Sequence, residues 1–191
     1  MADQLAAPED LAALLQQDVD TATATLLIEA ATAVVQAVCG QRILRVVDDE
    51  IQLDGHTDST LVLPERPVVA VSAVSLAGTA LTAGTASGTY RLSTAGLWRD
   101  TGWAGDSPPA LVAVTYTHGW ADGAQELQLA RSATLSLAKG SYANPSGVYS
   151  EKIDDYSVAY ERASIAMEAS PFLAAALRRQ YGHKAGMVRI F

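Results

Sequence analysis

Apolar residues recur at helical spacing in the first part of the chain, from Pro8 to Gly40. Pro8 followed by two acidic residues predicts the start of one helix, because proline suits the first helical position and carboxylates favour the positive end of the helix dipole. Asp20 or Thr21 is expected to cap a second helix, which Gly40 would end. The apolar stripe predicted on that helix consists of Leu27, Ala30, Ala31, Val34, Val35 and Val38.

Strand-like alternation replaces the helical spacing after Gly40. Residues 42–53 contain β-branched side chains with rough alternation, 68–76 predict another strand, and 111–117 alternate clearly. Gly, Pro and Thr separate these runs, which predicts strands joined by turns. Helical spacing returns after residue 119. The segment 42–119 is therefore interpreted as a β-rich module inserted between helices.

The last third of the chain predicts a helix, a loop, a short ribbon and a final helix. Asp122 is expected to cap a helix over 124–139 that Gly140 ends, and Gly, Ser, Asn and Pro make 140–147 irregular. Alternation over 149–161 predicts a two-stranded ribbon, which needs a partner surface because a ribbon of this size is marginal alone.

Together these patterns predict an α+β fold: a small helical bundle of about four helices with an inserted β-rich module and a short β-ribbon before the last helix. The predicted divisions are the N-terminal helices, the inserted module, the C-terminal helices with loop and ribbon, and a tail. Their bounds are 1–41, 42–119, 120–182 and 183–191.

Composition narrows the function classes. The chain has 191 residues, of which 49% are apolar and 18% charged, so a folded core is expected. A net charge of −8 disfavours binding to nucleic acid through phosphate neutralisation. Cys39 is the single cysteine, which excludes an intrachain disulfide, and it is expected to be a small buried side chain. An acidic N-terminus and the lack of an apolar run near ~20 residues predict a protein made in the cytoplasm, with no signal peptide and no membrane partner.

Residues able to carry chemistry are present but do not form a recognisable motif. His56 lies in a polar segment, 54–58, that resembles the start of a calcium loop but reads better as a turn. Asp48, Asp49 and Glu50 resemble a catalytic or metal cluster only by number, because adjacent residues on a strand point to opposite faces, which favours solvated charge. His118 could be a general base, yet no nucleophile motif accompanies it. No catalytic, cofactor-binding or metal-binding residue is predicted, no cofactor is expected, and the chain is expected not to be an enzyme.

Two other functions stay open from the residues alone. A small hydrolase could use His118 with a nearby acid. A carbohydrate-binding β module is suggested by Trp98, Trp103 and Trp120, although a core or interface role suits these side chains better.

Features that suggest contacts with other chains are stronger. The tail ends in apolar residues, and leaving one Phe in water forgoes ~1.5–3 kcal/mol of burial. Tyrosines flank the loop at 140–147 and could dock on a neighbour. The alanine-rich helices suggest packing of subunits side by side in a closed symmetric assembly. The predicted partner contacts are Tyr142, Asn144, Tyr149, Tyr156, Met187, Val188, Arg189, Ile190 and Phe191.

The order of these segments resembles a known family. In chain order the matching segments are PEDLAALL (8–15), LLIEAA (26–31), LVLP (61–64), PVVAVSAV (67–74), VTYTHGW (114–120) and IDDYSV (153–158). Together they look like the head–tail connector proteins (adaptor or head completion proteins) of long-tailed bacteriophages, particularly those of actinobacterial hosts.

That resemblance implies a structural protein of the virion, located at the head–tail joint. It implies a homo-oligomeric ring of twelve copies beneath the portal protein that closes the filled head and supports the next connector, stopper or tail protein. Genomic DNA would pass through the lumen without sequence-specific binding, as a negative lining would allow. The tail 183–191 and the segment 140–161 would contact the portal and adjacent subunits. A tail terminator or minor capsid protein is the alternative within the virion.

Overall fold

The change from helical spacing to strand alternation and back corresponds to two units in the structure, a computed structural model. It describes residues 4–94, 96–104, 110–143, 150–153, 156–159 and 171–182, with the backbone alone at 110, 150–153 and 156–159. The helical unit comprises Met1–Leu44 and Asp122–Phe191, and the β unit comprises Arg45–Ala121.

Four α-helices lie in the described part of the helical unit: α1 (Pro8–Leu15), α2 (Thr21–Cys39), α3 (Gln128–Ala143) and α4 (Pro171–Tyr181). α2 contacts each of the other three helices and is the central element of the unit. The core that they share is built from small and medium side chains, which permits close helix packing. Its fully buried members include Leu11, Ala24, Ile28, Val35, Leu127, Ala130, Ala138 and Leu177.

The predicted ends of α2 are confirmed. Asp20 is the N-cap, and its Oδ2 accepts a hydrogen bond from the Thr23 backbone N–H at 2.9 Å. Gly40 is the C-cap with φ +72°, the left-handed conformation that glycine adopts without a steric cost. The bond from the Thr23 N–H and a second one, from the Thr23 hydroxyl to the same oxygen at 2.9 Å, hold the pKa of the Asp20 carboxyl below its usual value.

The predicted ends of α3 are wrong. A 3₁₀ turn at Gln125–Leu127 precedes the helix, its N-cap is Ala124, and Asp122 instead accepts a bond from its neighbour Gly123. α3 also continues through Gly140 to Ala143. A helical glycine costs only about 1 kcal/mol relative to alanine, so packing of the helix on α2 can outweigh it.

The predicted stripe of α2 is only partly right. The buried residues of this helix are Ala24, Ile28, Ala31, Thr32, Val35 and Cys39, whereas Ala30 and Val34 are exposed. Periodicity could not choose the buried face because apolar residues occur on both sides of this helix.

α2 is also long and apolar enough to cross a membrane, with 19 residues and a mean hydropathy of 1.6. The predicted absence of such a run is therefore wrong on length and composition. A helix of this kind is weak evidence for a span, because the core helix of a soluble protein passes the same test. Here α2 packs against α1, α3 and α4.

Two antiparallel sheets form the β unit. The larger has the order β1 (Val46–Gly55), β7 (Ala110–His118), β3 (Val68–Leu76) and β4 (Thr79–Ala80). The smaller has the order β2 (Thr60–Leu61), β6 (Gly96–Arg99) and β5 (Tyr90–Ser93). The predicted strand 68–76 is confirmed, and the predicted strand 111–117 lies inside β7.

One hydrophobic core joins the two sheets. Alternate residues of β7 point into it, as period-two alternation predicts. Its buried members are Leu61, Leu63, Val74, Tyr90, Leu97, Trp103, Val112, Val114 and Tyr116.

A third pairing lies in the last part of the chain, where β8 (Ser150–Ile153) pairs antiparallel with β9 (Tyr156–Ala159). This is the predicted short ribbon before the last helix. The α+β fold class, a small helical bundle with a β-rich module between its helices, is confirmed.

Candidate assembly interface

The predicted contact residues fall mostly outside the described part of the chain. Tyr142 lies in the last turn of α3 and is half-buried. Tyr156 opens β9, where only the backbone is described. Asn144, Tyr149, Met187, Val188, Arg189, Ile190 and Phe191 lie outside the described residues.

A second apolar surface, of which the predicted stripe contained only Ala30 and Val34, runs along α2. Helical spacing places a second apolar stripe on the side opposite the buried residues: Leu26, Ala30, Ala33, Val34 and Ala37. All five residues are exposed; the side chain of Leu26 is 67% exposed and that of Val34 45%. We call these residues the α2 outer stripe. The signal that could have found it is the near-uniform apolarity of this helix.

α4 carries a second exposed surface. Leu177 and Tyr181 are buried, and Tyr181 anchors the end of the helix through its carbonyl, which accepts from the Gln41 amide, and its hydroxyl, which donates to the Glu126 carbonyl. The opposite side carries Phe172, which is 88% exposed. Helical spacing puts Ala175 and Arg179 on that same side, and both are exposed. We call Phe172, Ala175 and Arg179 the α4 outer face.

Two shallow grooves of about 430 and 490 Å³ flank an ion pair between α1 and α3. Arg131 Nη2 donates to Asp10 Oδ2 at 3.0 Å, and the same carboxylate oxygen accepts from the Ala7 backbone N–H at 3.0 Å. These donors, the Ala7 N–H foremost, hold the pKa of Asp10 below its usual value although partial burial opposes the shift. Because Asp10 and Arg131 neutralise each other, this pair leaves no uncompensated charge in the grooves that could attract a charged ligand.

His118 is fully buried at the end of β7, as strand-end packing predicts, but it also meets an acid. Its Nε2 lies 3.2 Å from Asp49 Oδ2, so the interpretation of Asp49 as solvated charge is wrong. The nearby hydroxyl of Ser72 donates instead to Asp48 Oδ1 at 2.9 Å. His118 pairs with Asp49, and Ser72 pairs with Asp48. The Ser72 hydroxyl thus donates to a carboxylate and not to the imidazole, as a nucleophile would donate to its base.

The polar segment 54–58 is used for structure. The His56 carbonyl accepts from the Trp103 backbone N–H at 2.8 Å, while His56 Nδ1 lies 3.8 Å from Asp58 Oδ2. Cys39 is buried as predicted, and burial raises the pKa of its thiol to about 11, which makes it a poor nucleophile.

The tryptophans are not arranged as an open sugar-binding platform. Trp103 is fully buried and donates its Nε1–H to the Ser59 carbonyl at 3.1 Å. The guanidinium of Arg91 lies 4.3 Å from the ring centroid of Trp98 and covers one face. Trp120 is half-buried. A core role therefore describes Trp103, whereas Trp98 belongs to a surface cation–π pair.

No protein-family model and no curated protein sequence matches the chain. Solved structures do resemble it. A chain from the neck of the native gene transfer agent (GTA) particle, computed with C12 symmetry, has a TM-score of 0.52 and 17% identity, with 100% of both chains covered. A chain from the neck of the empty GTA particle, computed with C6 symmetry, has a TM-score of 0.51 and 18% identity, covering 91% of this chain and 84% of that one. At these identities the likeness establishes a shared fold.

Proposed function

We propose that this chain is a structural protein of a virion neck: a head–tail connector that assembles as a ring of twelve copies between the portal and the tail. The observation that carries the proposal is the fold shared over the full length of both chains with a neck protein in a structure of C12 symmetry. The order of the sequence segments that resemble phage head–tail connectors supports the same role. In this proposal the protein closes the filled head and passes DNA.

The exposed surfaces support an assembled state. The α2 outer stripe and Phe172 leave large apolar side chains in water, and burial against other chains would stabilise them by about 25 cal/mol per Å² removed from solvent. Exposed apolar patches of this kind are typical of contact sites. A role as part of an assembly accounts for them without catalysis, and we propose that the chain is not an enzyme.

The charge also suits a ring through which DNA passes. The chain carries a net charge of −8, and three exposed acids, Asp48, Glu50 and Asp54, lie along β1. Acidic walls would repel phosphates and let the duplex slide, whereas a basic lining would retain it. We propose that DNA traverses the lumen without sequence-specific contacts.

The test is to produce the full chain alone and together with the portal protein of the same virus. The mass of each assembly is then measured, and each assembly is imaged by electron microscopy. We expect a ring of twelve copies that copurifies with the portal. A chain that stays monomeric and does not bind the portal protein would overturn the proposal. Copurification with tail-tube protein alone would indicate a tail terminator, and with capsid protein alone a minor capsid protein.

The tail gives a second arm of the same experiment. A chain that ends before residue 185 should bind the portal more weakly, because it lacks the predicted contacts at 187–191, and its helical circular dichroism should be unchanged. The matched control replaces His183 and Lys184 by serine and keeps the apolar residues. Equal portal binding by the shortened and full chains would remove the tail from the portal contact.

A further inference from the structure

α2 has two apolar sides, and the other helices of the helical unit cover only one of them. Residues at the spacing of Ile28 and Val35 pack against α1, α3 and α4. The α2 outer stripe points the other way; Ala30 and Ala33 are the small residues between the larger Leu26 and Val34, and Ala37 follows Val34. Small residues along a helix let a neighbouring element approach closely. A projecting side chain of a neighbouring element could therefore approach the stripe closely.

The α4 outer face supplies such a projection. Phe172 is 88% exposed at the start of the helix, and burying a Phe side chain stabilises by ~1.5–3 kcal/mol. Arg179 lies on the same side of α4, and its neighbour Arg178 is also exposed. The α4 outer face therefore combines an exposed aromatic side chain, Phe172, with the positive charge of Arg179, and Arg178 lies next to it.

Charge distinguishes the two surfaces. Glu29 is exposed beside the α2 outer stripe, and Asp18 and Asp20 are exposed before the helix starts. A stripe bordered by carboxylates complements a face that carries arginines, whereas two copies of the same stripe would bring like charges together. The two surfaces lie on different helices of one unit, as a contact between two unlike surfaces requires.

We infer that the α2 outer stripe of one copy receives the α4 outer face of the next copy, with Phe172 as the anchor. This inference rests on the proposed function and names the contact between ring subunits. A contact between two different surfaces is heterologous and can repeat around a closed ring, whereas pairing of one surface with itself stops at a dimer. The occupant of the stripe is thus a second copy of this chain.

Cysteine cross-linking tests the direction of the contact. In a Cys39→Ala background, Ala33→Cys is placed in the stripe and Ala175→Cys in the α4 outer face, and a short bifunctional thiol reagent is added to assembled rings. A mixture of the two single variants should give cross-linked dimers and nothing larger, and neither should cross-link alone. The double variant should give a ladder of covalent oligomers. Ala13→Cys, at an exposed alanine of α1, is the matched control in place of either position.

Substitution tests the anchor. Phe172→Ser and Leu26→Lys should each weaken ring association at least tenfold while circular dichroism stays unchanged. Leu92→Ser, at a β-unit leucine that is 46% exposed, is the control that should leave association unchanged.

The outcomes separate the two proposals. Rings that form normally with Phe172→Ser, or dimers from Ala33→Cys alone, would overturn the inferred contact and leave the neck function standing. Absence of wild-type rings, with or without the portal, would instead overturn the proposed function. Flotation of the wild-type chain with phosphatidylcholine vesicles, abolished by Leu26→Lys, would assign the stripe to lipid and overturn the contact between copies.

Discussion

His118 Nε2 lies 3.2 Å from Asp49 Oδ2, across the two neighbouring strands β7 and β1. The imidazole is fully buried and its ring centroid is 5.0 Å from that of Tyr116, while the Asp49 side chain is only 19% exposed. A register shift between Val46 and Asp49, with Asp48 at φ +51°, places Asp49 opposite Tyr116 on the core side of the sheet. A bulge in an edge strand thus supplies the carboxylate that a buried histidine needs.

Removing that carboxylate should destabilise the β unit. Asp49→Ala leaves the buried Nε2 of His118 without this partner, and His118 Nδ1 already has none among the described residues. Leaving a buried polar group unsatisfied costs about 1–3 kcal/mol, and we expect a loss of that size in the free energy of unfolding. Tryptophan fluorescence in urea measures it, because Trp98, Trp103 and Trp120 all lie in the β unit. Asp54→Ala, at an exposed acid of the same strand, is the control, and an equal loss there would contradict the structural role of the pair.

The Asp10 carboxylate, which accepts from the Ala7 N–H and pairs with Arg131, should contribute to stability modestly and in a pH-dependent way. The pKa of Asp10 is lowered, so its contribution is fully present above the unfolded value of 3.8 and is lost as the pH falls through the lowered folded value. Asp10→Asn should reduce the free energy of unfolding by about 0.5–1 kcal/mol at pH 7, a small effect because the pair is partly exposed. The difference between wild type and variant should narrow below pH 3.8, as followed by helical circular dichroism. A gap that stays constant down to acidic pH would show that charge is not its cause, and Asp18→Asn serves as the matched exposed control.

Cys39 should make the helical unit less stable at alkaline pH. Burial raises the pKa of its thiol to about 11 in the folded state from an ordinary value of 9.0, so between these values the unfolded chain releases a proton that the folded chain keeps. The free energy of unfolding should therefore fall with rising pH in this window, by up to about 1.4 kcal/mol per pH unit from this group. Cys39→Ala lacks that slope, and the difference between the two urea titrations at pH 8 and pH 10 isolates it. Parallel titrations of wild type and variant would contradict the buried-thiol assignment.

Local signals sufficed where residue type alone sets the element. The β-branched run over 68–76 and the turn residues on each side predicted β3, although two register shifts interrupt the alternation of burial along this strand. Gly40 predicted the end of α2 because only the left-handed conformation closes that helix. The inserted β module followed from the change of period alone. These features are set by short-range steric and hydrophobic requirements.

Features that depend on contacts between distant elements could not be predicted. Gly140 has the identity of a helix terminator, yet α3 continues past it. α2 is apolar on both sides, so its sequence could not distinguish the core side from the outer stripe. The partnership of Asp49 with His118 depends on a bulge that shifts the register by one residue, which residue spacing does not reveal. The residue type of Phe172 favours a core position, but α4 buries Leu177 and Tyr181 on the opposite side of the helix and leaves Phe172 exposed.

A side chain at Gly102 should destabilise the loop that holds Trp103. Gly102 has φ +72°, and a Cβ added there would lie 2.5 Å from the Thr57 carbonyl oxygen. Gly78 has a similar φ of +80° in the β3–β4 turn, but a Cβ there would meet nothing within 4 Å. Gly78→Ala should therefore cost only the left-handed backbone penalty of about 1–2 kcal/mol.

Gly102→Ala adds to the same penalty a clash with rigid backbone, for which we expect about 1–3 kcal/mol more. The shift would also disturb the bond from the Trp103 N–H to the His56 carbonyl, so the fluorescence of the folded state should change in this variant and not in Gly78→Ala. Urea unfolding followed by tryptophan fluorescence compares the two directly. Because the two glycines match in φ, equal losses would mean that the backbone angle, and not the space beside Thr57, selects glycine at position 102.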